Sequence, residues 1–355
     1  MPKMNILMFN HEFTITGSSK AFFRLAKDLK DFGHNLQIFP AIPEPGAMLP
    51  YFESLDVPIS SNCDPNNFDL AIFNTIATGE LIPSIPPQLP IIWFINEGDI
   101  AVMMLCDHPP LREALSHIRS HTGSIIFNTE SQRKVLQTFI RHLPENKIHV
   151  CPFGITIDIN NIVLPKILPK TTAIRIVQVG TVEGRKRAED LIKAVSMFSA
   201  DVDIECIICG KIFNMEEDAV EIFNSNRKRF KIIENLEDDE LLACMASADI
   251  FCLASYNETQ ALAVYEAALL ERPLILSALP CYDGVFEHGT NCLMFPARNP
   301  EALAAMIATM ITCPDYRIKL GKAARQAALP YTNAAFLSKF NAVVQRVTNQ
   351  SIYPM

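Results

Sequence analysis

Residues 249–277, DIFCLASYNETQALAVYEAALLERPLILS, hold a short apolar run, a polar turn, a helical pattern and a second apolar run in immediate succession. The first run, 250–254, has strand length, and Ser255, Tyr256 and Asn257 stop it with turn-forming side chains. From Thr259 apolar positions recur at helical spacing, with Leu262, Tyr265 and Leu269 on one face, until Arg272-Pro273 ends the helix ahead of a strand at 274–276. A strand, helix, strand unit builds a parallel sheet. Ligands of such sheets lie at the carboxyl ends of the strands, where the next helix offers unpaired N–H groups to an anion. Glu258 stands in that turn, and Glu266 follows eight residues later. In one continuous helix the two carboxylates would be roughly 12 Å apart along the axis. That is too far for a shared proton or a single metal ion, but it suits two ends of one extended polar ligand.

At 355 residues the chain has room for two domains, and 49% hydrophobic against 20% charged residues supply ample core. A net charge of −8 argues against nucleic acid, whose phosphates need a basic face. No apolar run reaches the length of a membrane span, and MPKMNILMFN leads straight into a strand, so a cytoplasmic protein is expected. The basic triplets 185–187 and 227–229 are compatible with weak peripheral membrane contact but are too short for a polybasic anchor. Ten scattered cysteines, most of them within apolar runs, point to buried reduced thiols. Cys206 and Cys209 match CxxC, yet in the strand pattern IECIICG residues three apart face opposite ways, which disfavours a shared metal or redox site.

In the first half, strands are expected at 5–9, at LQIF (36–39), at 69–74, at 90–96, at 124–129 and at 147–155, with helices at 21–32 and 130–141. The loop after the first strand carries Thr14, Thr16, Gly17, Ser18 and Ser19 and can turn N–H groups toward a phosphate or sugar. Prolines crowd 41–90 and mark surface loops, and Pro165 and Pro169 mark a linker at 162–172. In the second half IRIVQVG runs into Gly180-Thr181-Val182-Glu183-Gly184-Arg185-Lys186-Arg187 and then a helix, an order that places cations where a helix dipole also favours a diphosphate. Further strands are expected at 204–210 and 231–236, and helices at 237–248, 301–311, 316–329 and 334–347. Asp201-Val202-Asp203 sits between a helix and a strand and reads as a loop, so no metal is expected.

The spacing Glu258-x7-Glu266, with Ala267 after it and Arg272-Pro273 ahead of a Leu/Ile strand, resembles the signature of the family 4 glycosyltransferases of the GT-B fold. The glycine, Arg185 and Lys186 before a helix resemble that family's second signature. The resemblance implies an α/β chain of two Rossmann-like domains facing across an interdomain cleft. These would be 1–165, joined by a C-terminal helix at about 331–355, and 172–330. The second would hold the donor and the first mainly the acceptor.

It also implies site roles: Glu266 on ribose, Glu258 on the donor sugar, and the main chain of Thr259, Gln260, Ala261 and Leu262 against sugar and diphosphate. Arg185 and Lys186 would neutralise the leaving diphosphate, with Gly17 and Ser18 reaching toward it from the first domain. Asn96 stands where the family commonly has histidine, with Glu97 matching the following glutamate. An amide there cannot titrate near neutral pH. Thr259, Ala261 and Arg187 stand where the family usually has glycine.

The implied activity is a retaining, metal-independent, hexosyl-type transfer from a nucleotide-diphosphate sugar, with no cofactor. The acceptor could be a glycan, a lipid-linked group or a small molecule. A catalytically degenerate nucleotide-sugar-binding protein and a sugar epimerase on the same fold are the alternatives.

Overall fold

The structure, a computed structural model, describes residues 3–157, 168 and 171–353. Among them the chain forms two compact units, Met1–Gly154 with Asn333–Met355, and Ile155–Thr332. The expected linker at 162–172 lies for the most part outside the described residues.

The first unit is built on six parallel strands: β1 (Asn5–Asn10), β2 (Asn35–Pro40), β3 (Leu70–Asn74), β4 (Ile91–Ile95), β5 (Gly123–Phe127) and β6 (Ile148–Val150). They lie in the order β2-β1-β3-β4-β5-β6. The central strands are buried at every residue, as a sheet covered on both faces requires, and so read as unbroken apolar runs. The first helix is Gly17–Asp31, four residues longer at its start than the spacing suggested, because the Thr16 hydroxyl accepts from Ser19 N and caps it there. Gly33, at φ +89°, ends it.

Between β4 and β5 the structure adds helices Asp99–Asp107 and Pro109–Ser120, the second opened by prolines that fit a first helical turn. The expected helix at 130–141 is split at Leu136 into Glu130–Val135 and Gln137–Ile140. The proline-dense stretch still forms the short helix Leu49–Glu53 and a 3-10 segment at Ala77–Ser84. The terminal helix, Asn333–Thr348, packs Phe336 and Phe340 on Phe153 and Phe94, with ring centroids 5.1–5.7 Å apart.

Beyond that helix the chain is tied down by buried His34, whose Nδ1 accepts from Met4 N at 3.2 Å while Nε2 donates to Ile352 O at 3.2 Å. Those two bonds need the neutral ring, and burial pushes its pKa below 6.5, only partly opposed by the bond to Ile352. The unfolded chain therefore takes up the proton first as pH falls through 6.5. The stability of this unit should decline from there downward. His117 and His149 are pushed the same way by burial, so the diagnostic quantity is the difference between wild type and His34→Gln. The acid loss of melting temperature should be smaller in the variant.

The second unit carries β7 (Ile174–Val179), β8 (Ile204–Cys209), β9 (Phe230–Ile233), β10 (Ile250–Leu253), β11 (Leu274–Ser277) and β12 (Leu293–Phe295). All are parallel, in the order β12-β11-β10-β7-β8-β9. From β7 the chain moves outward to β8, and from β10 outward the other way to β11, so the topological switch lies between β7 and β10. A crevice opens at the carboxyl ends of such a pair. Cys206 and Cys209 belong to the cores on opposite faces of this sheet, and all ten cysteines are free thiols. A helix absent from the sequence expectations, Glu217–Ser225, follows β8. Among the described residues no helix is long and apolar enough to cross a membrane.

Candidate functional site

At the switch point the loop after β7 meets the loop after β10. Gly180 ends β7 at φ +142°, and a Cβ there would come within 3.3 Å of the Lys186 Cδ and Cε atoms, so the bare glycine lets the lysine stem fold back over it. Gly210, at the end of β8, lies so close that its own Cβ would stand 2.0 Å from Gly180 O. Tyr256 N donates to Arg185 O at 3.1 Å and joins the two loops through their backbones. Gln178 Nε2 donates to Lys186 O at 3.1 Å.

This mounting brings three of the expected side chains together. Lys186 Nζ lies 2.7 Å from Glu258 Oε1, and Arg185 Nη1 lies 3.2 Å from the same oxygen. Arg185 also donates to Asn257 O at 3.0 Å and pairs with Glu183 Oε1 at 3.1 Å. The Glu258 side chain is only 7% exposed. Burial, the largest single influence, would push its pKa up, but Lys186 and Arg185 together outweigh it and hold the carboxyl below its usual range. Two cations and two carboxylates balance in this cluster, so an incoming anion binds there by sharing the Lys186 and Arg185 donors with Glu258 and Glu183.

Arg187, where the resemblance led one to expect glycine, adopts the left-handed conformation a glycine would, at φ +50° and ψ +44°. For a residue with a Cβ that conformation costs roughly 1–2 kcal/mol. Ion pairs at 2.6 Å to Asp190 and at 2.6 Å to Glu216 offset it, and these partners, Asp190 first, raise the guanidinium pKa. The turn is thereby preserved, and the helix Ala188–Ser196 starts directly after it. Arg187→Val, a branched residue in the same conformation, should lower the melting temperature more than Arg187→Gly does.

The helix beyond Glu258 begins later than the periodicity suggested. It spans Leu262–Leu269 with Ala261 as its cap, so Glu258, Thr259 and Gln260 lie in the preceding loop and Glu266 is the helix's only acid. The separation along one continuous helix therefore does not apply. The buried face is Val264, Tyr265, Ala267 and Ala268, while Leu262 and Leu269 are half-buried. Glu266 is half-buried in the second turn, and Leu262 opens the helix at the carboxyl end of β10.

The remaining expected residues lie in the first unit. Gly17 and Ser18 form the first turn of their helix rather than a loop, with the Ser18 hydroxyl 3.0 Å from Thr16 Oγ1. Asn96 follows β4, and both ends of its amide are taken. Asn96 Nδ2 donates to Asn74 Oδ1 at 2.7 Å, and Asn96 Oδ1 accepts from Asn128 Nδ2 at 3.1 Å. Asn74 Nδ2 donates in turn to Asn10 Oδ1 at 3.3 Å, and Asn10 Nδ2 to Glu12 O at 2.8 Å.

Four buried asparagines at the carboxyl ends of β1, β3, β4 and β5 thus form one head-to-tail ladder. It crosses this sheet's own switch point, between β1 and β3. Beside it Glu97 Oε2 accepts from Ile76 N at 2.8 Å and from Asn96 N at 3.0 Å. Burial dominates those bonds and raises the Glu97 pKa. The ladder was missed in the sequence, although the signal is present: the strands close on Phe9-Asn10, Phe73-Asn74, Ile95-Asn96 and Phe127-Asn128.

The sequence profile of the family described as Glycosyl transferases group 1 matches residues 162–327, which is nearly the whole second unit. Among curated proteins, the D-inositol 3-phosphate glycosyltransferase of Corynebacterium glutamicum (strain R) is 26% identical over 183 residues, covering 49% of this chain. That match spans 44% of the relative's own length, under half of it. Among solved structures, Anabaena Alr3699/HepE in complex with UDP superposes with a TM-score of 0.79 at 16% identity, covering 96% of this chain and 100% of that one. The same protein has also been solved with UDP-glucose. A glycosyltransferase from Rickettsia africae ESF-5 superposes with a TM-score of 0.76 at 16% identity, covering 99% of this chain and 100% of that one. At these identities the structural likeness speaks for the fold, two Rossmann-like units of the GT-B type, and the profile match speaks for the family. Residues 162–327, just under half of the chain, match the group 1 glycosyltransferase profile, and the chain is similar to that family there.

Proposed function

We propose that the protein transfers a sugar from a nucleotide-diphosphate sugar to an acceptor hydroxyl, with retention at the anomeric carbon and without a metal ion. The observation that carries this reading is the convergence of Lys186 and Arg185 on Glu258 at the β7/β10 switch point. In the proposed complex the two cations share their charge with the donor diphosphate. As the bond from the anomeric carbon to that diphosphate breaks, they stabilise the charge that develops on it. Preorganised charge of this kind supplies a large part of the barrier lowering in such steps.

Glu258 then lies beside the sugar, Glu266 accepts from the ribose hydroxyls, and the main chain of 259–262 lines the space between them. UDP-glucose, bound by the structural relative, is the first donor to test, and UDP, bound by the same relative, is the leaving nucleotide to test for binding. The acceptor is proposed by class only, as a glycan, a lipid-linked group or a small molecule. Ten free cysteines suit a reducing compartment, and the cytoplasm is the proposed one.

The test is thermal stabilisation by UDP, GDP, ADP and CMP and by their sugar conjugates, since a ligand at a hundred times its Kd adds about 2.7 kcal/mol to the folded state. Stabilisation by one nucleotide supports the reading, and none by any of them argues against it. Glu266→Ala should weaken binding of that nucleotide by roughly 1.5–3 kcal/mol with the fold unchanged. Because side chains supply the positive charge, EDTA should leave both nucleotide binding and transfer unaltered.

A second reading, nucleotide-sugar binding without turnover, is favoured by one observation: the Asn96 amide is committed at both ends to Asn74 and Asn128. Tight binding with neither transfer nor donor hydrolysis would select it.

A further inference from the structure

Among the described residues of the second unit, every arginine but one gives guanidinium N–H groups to a carboxylate, an amide oxygen or a main-chain carbonyl. The exception is Arg298, three residues beyond β12, which donates to no acceptor there and pairs with no carboxylate, Glu301 in the following helix included. Its guanidinium is nonetheless placed. The central carbon lies 4.2 Å from the Tyr256 ring centroid, over a ring that is itself 39% exposed. A cation over an aromatic face is held by the ring's charge distribution and keeps its N–H donors. The backbone of Arg298 is left-handed, at φ +62°, a conformation that suits glycine and strains a residue with a Cβ. Arg187, in the same conformation, is compensated by two ion pairs, whereas Arg298 has the ring.

Tyr256 belongs to the loop that carries Glu258. Its N–H donates to Arg185 O at 3.1 Å, and the Arg185 guanidinium donates to the next carbonyl, Asn257 O, at 3.0 Å. The loops after β7, β10 and β12 therefore meet through direct contacts at the carboxyl end of the sheet, where such sheets bind ligands. Arg298 stands on that junction with its donors unengaged.

We propose that Arg298 is a second anion subsite, taking a carboxylate or a phosphate monoester carried by the donor sugar or by the acceptor. A guanidinium meets such a group with two parallel N–H···O bonds, a geometry an ammonium does not offer. The inference rests on the reading of this end of the sheet as the donor site, and it adds that the substrate bears a charge besides its diphosphate.

Calorimetric titration of wild type and Arg298→Gln with two pairs of probes tests it: UDP-glucuronate against UDP-glucose, and, with UDP present, glucose 6-phosphate against glucose. In at least one pair wild type should bind the charged member about tenfold more tightly, and Arg298→Gln should bind both members alike while its UDP affinity stays at the wild-type value. A preference in the first pair places the anion on the donor, and one in the second places it on the acceptor. Arg298→Lys, which keeps the charge without the fork, should recover only part of the preference. No preference in either pair, a preference that persists in Arg298→Gln, or an equal loss of UDP affinity overturns the subsite. The donor reading fails separately, when wild type binds neither UDP nor UDP-glucose, and the glucose 6-phosphate pair then decides on Arg298 by itself.

Discussion

Lys186→Ala should lower glycosyl transfer by roughly a hundred- to a thousandfold, the range seen when one preorganised charge-stabilising group is removed from a reacting centre. The lysine has two tasks that the variant separates. In the proposed complex it supplies charge to the diphosphate, so UDP should lose much more affinity than uridine, which has no phosphate to lose contact with. Toward the protein it is the nearer of the two cations on Glu258, at 2.7 Å against 3.2 Å for Arg185.

Without Lys186, burial acts on the Glu258 carboxylate with only Arg185 and the Ser255 hydrogen bond opposing it, and its pKa should rise. In wild type the depressed pKa means that the ion pair contributes stability above the ordinary value of 4.5 and loses it as pH falls through the lower folded value. In the variant that contribution shrinks or changes sign, so melting curves at pH 7 and pH 4 should lie closer together than in wild type. Lys186→Arg should not rescue transfer. The lysine stem packs against bare Gly180, and a planar guanidinium on a different stem cannot retrace that path. Equal losses for UDP and uridine would remove the diphosphate from the role of Lys186.

The loops that carry Arg185, Lys186 and Glu258 were legible from the grammar of parallel units, and the roles of these residues came from the family resemblance. Each loop follows a recognisable strand, and both strands deliver their loops to the same end of one sheet. Strand adjacency was the missing piece: 72 residues separate Lys186 from Glu258, and only the pairing of β7 with β10 makes their loops neighbours. The late start of the helix at Leu262 was hidden because Thr259 to Ala261 carries no strong breaker, while the backbone tie from Tyr256 to Arg185 that anchors this loop is written in no side chain. Gly17 and Ser18 were taken for loop because glycine and serine mark turns, whereas the Thr16 cap admits them to a first helical turn. Arg187 shows the opposite case. Arginine stands where the family usually has glycine, yet charged partners 3 and 29 residues away in sequence hold it in the left-handed conformation that glycine favours.

Asn74→Ala should destabilise the first unit by roughly 2–6 kcal/mol, because it leaves two buried groups unpaired at about 1–3 kcal/mol each. Asn96 Nδ2 loses its acceptor and Asn10 Oδ1 its donor, in a place where Asn74 itself is fully buried and water has no direct access. Trp93 is the chain's one tryptophan and is buried in that unit, so its fluorescence follows the affected core and not the second unit. The transition it reports should move down on the order of ten degrees. Asn128→Ala should cost less. Among the described residues Asn128 Oδ1 accepts no bond, so that change orphans only Asn96 Oδ1.

The head-to-tail order predicts this ranking, and equal losses for the two variants would argue against it. The same order bears on the histidine position. Asn96→His would break both of the amide's bonds at once, because an imidazole cannot offer a donor to Asn74 and an acceptor to Asn128 from the places the amide uses. Histidine should be tolerated there only when Asn74 and Asn128 are changed with it. The departure from the family pattern at Asn96 is then a property of four strand ends acting together, not of one residue.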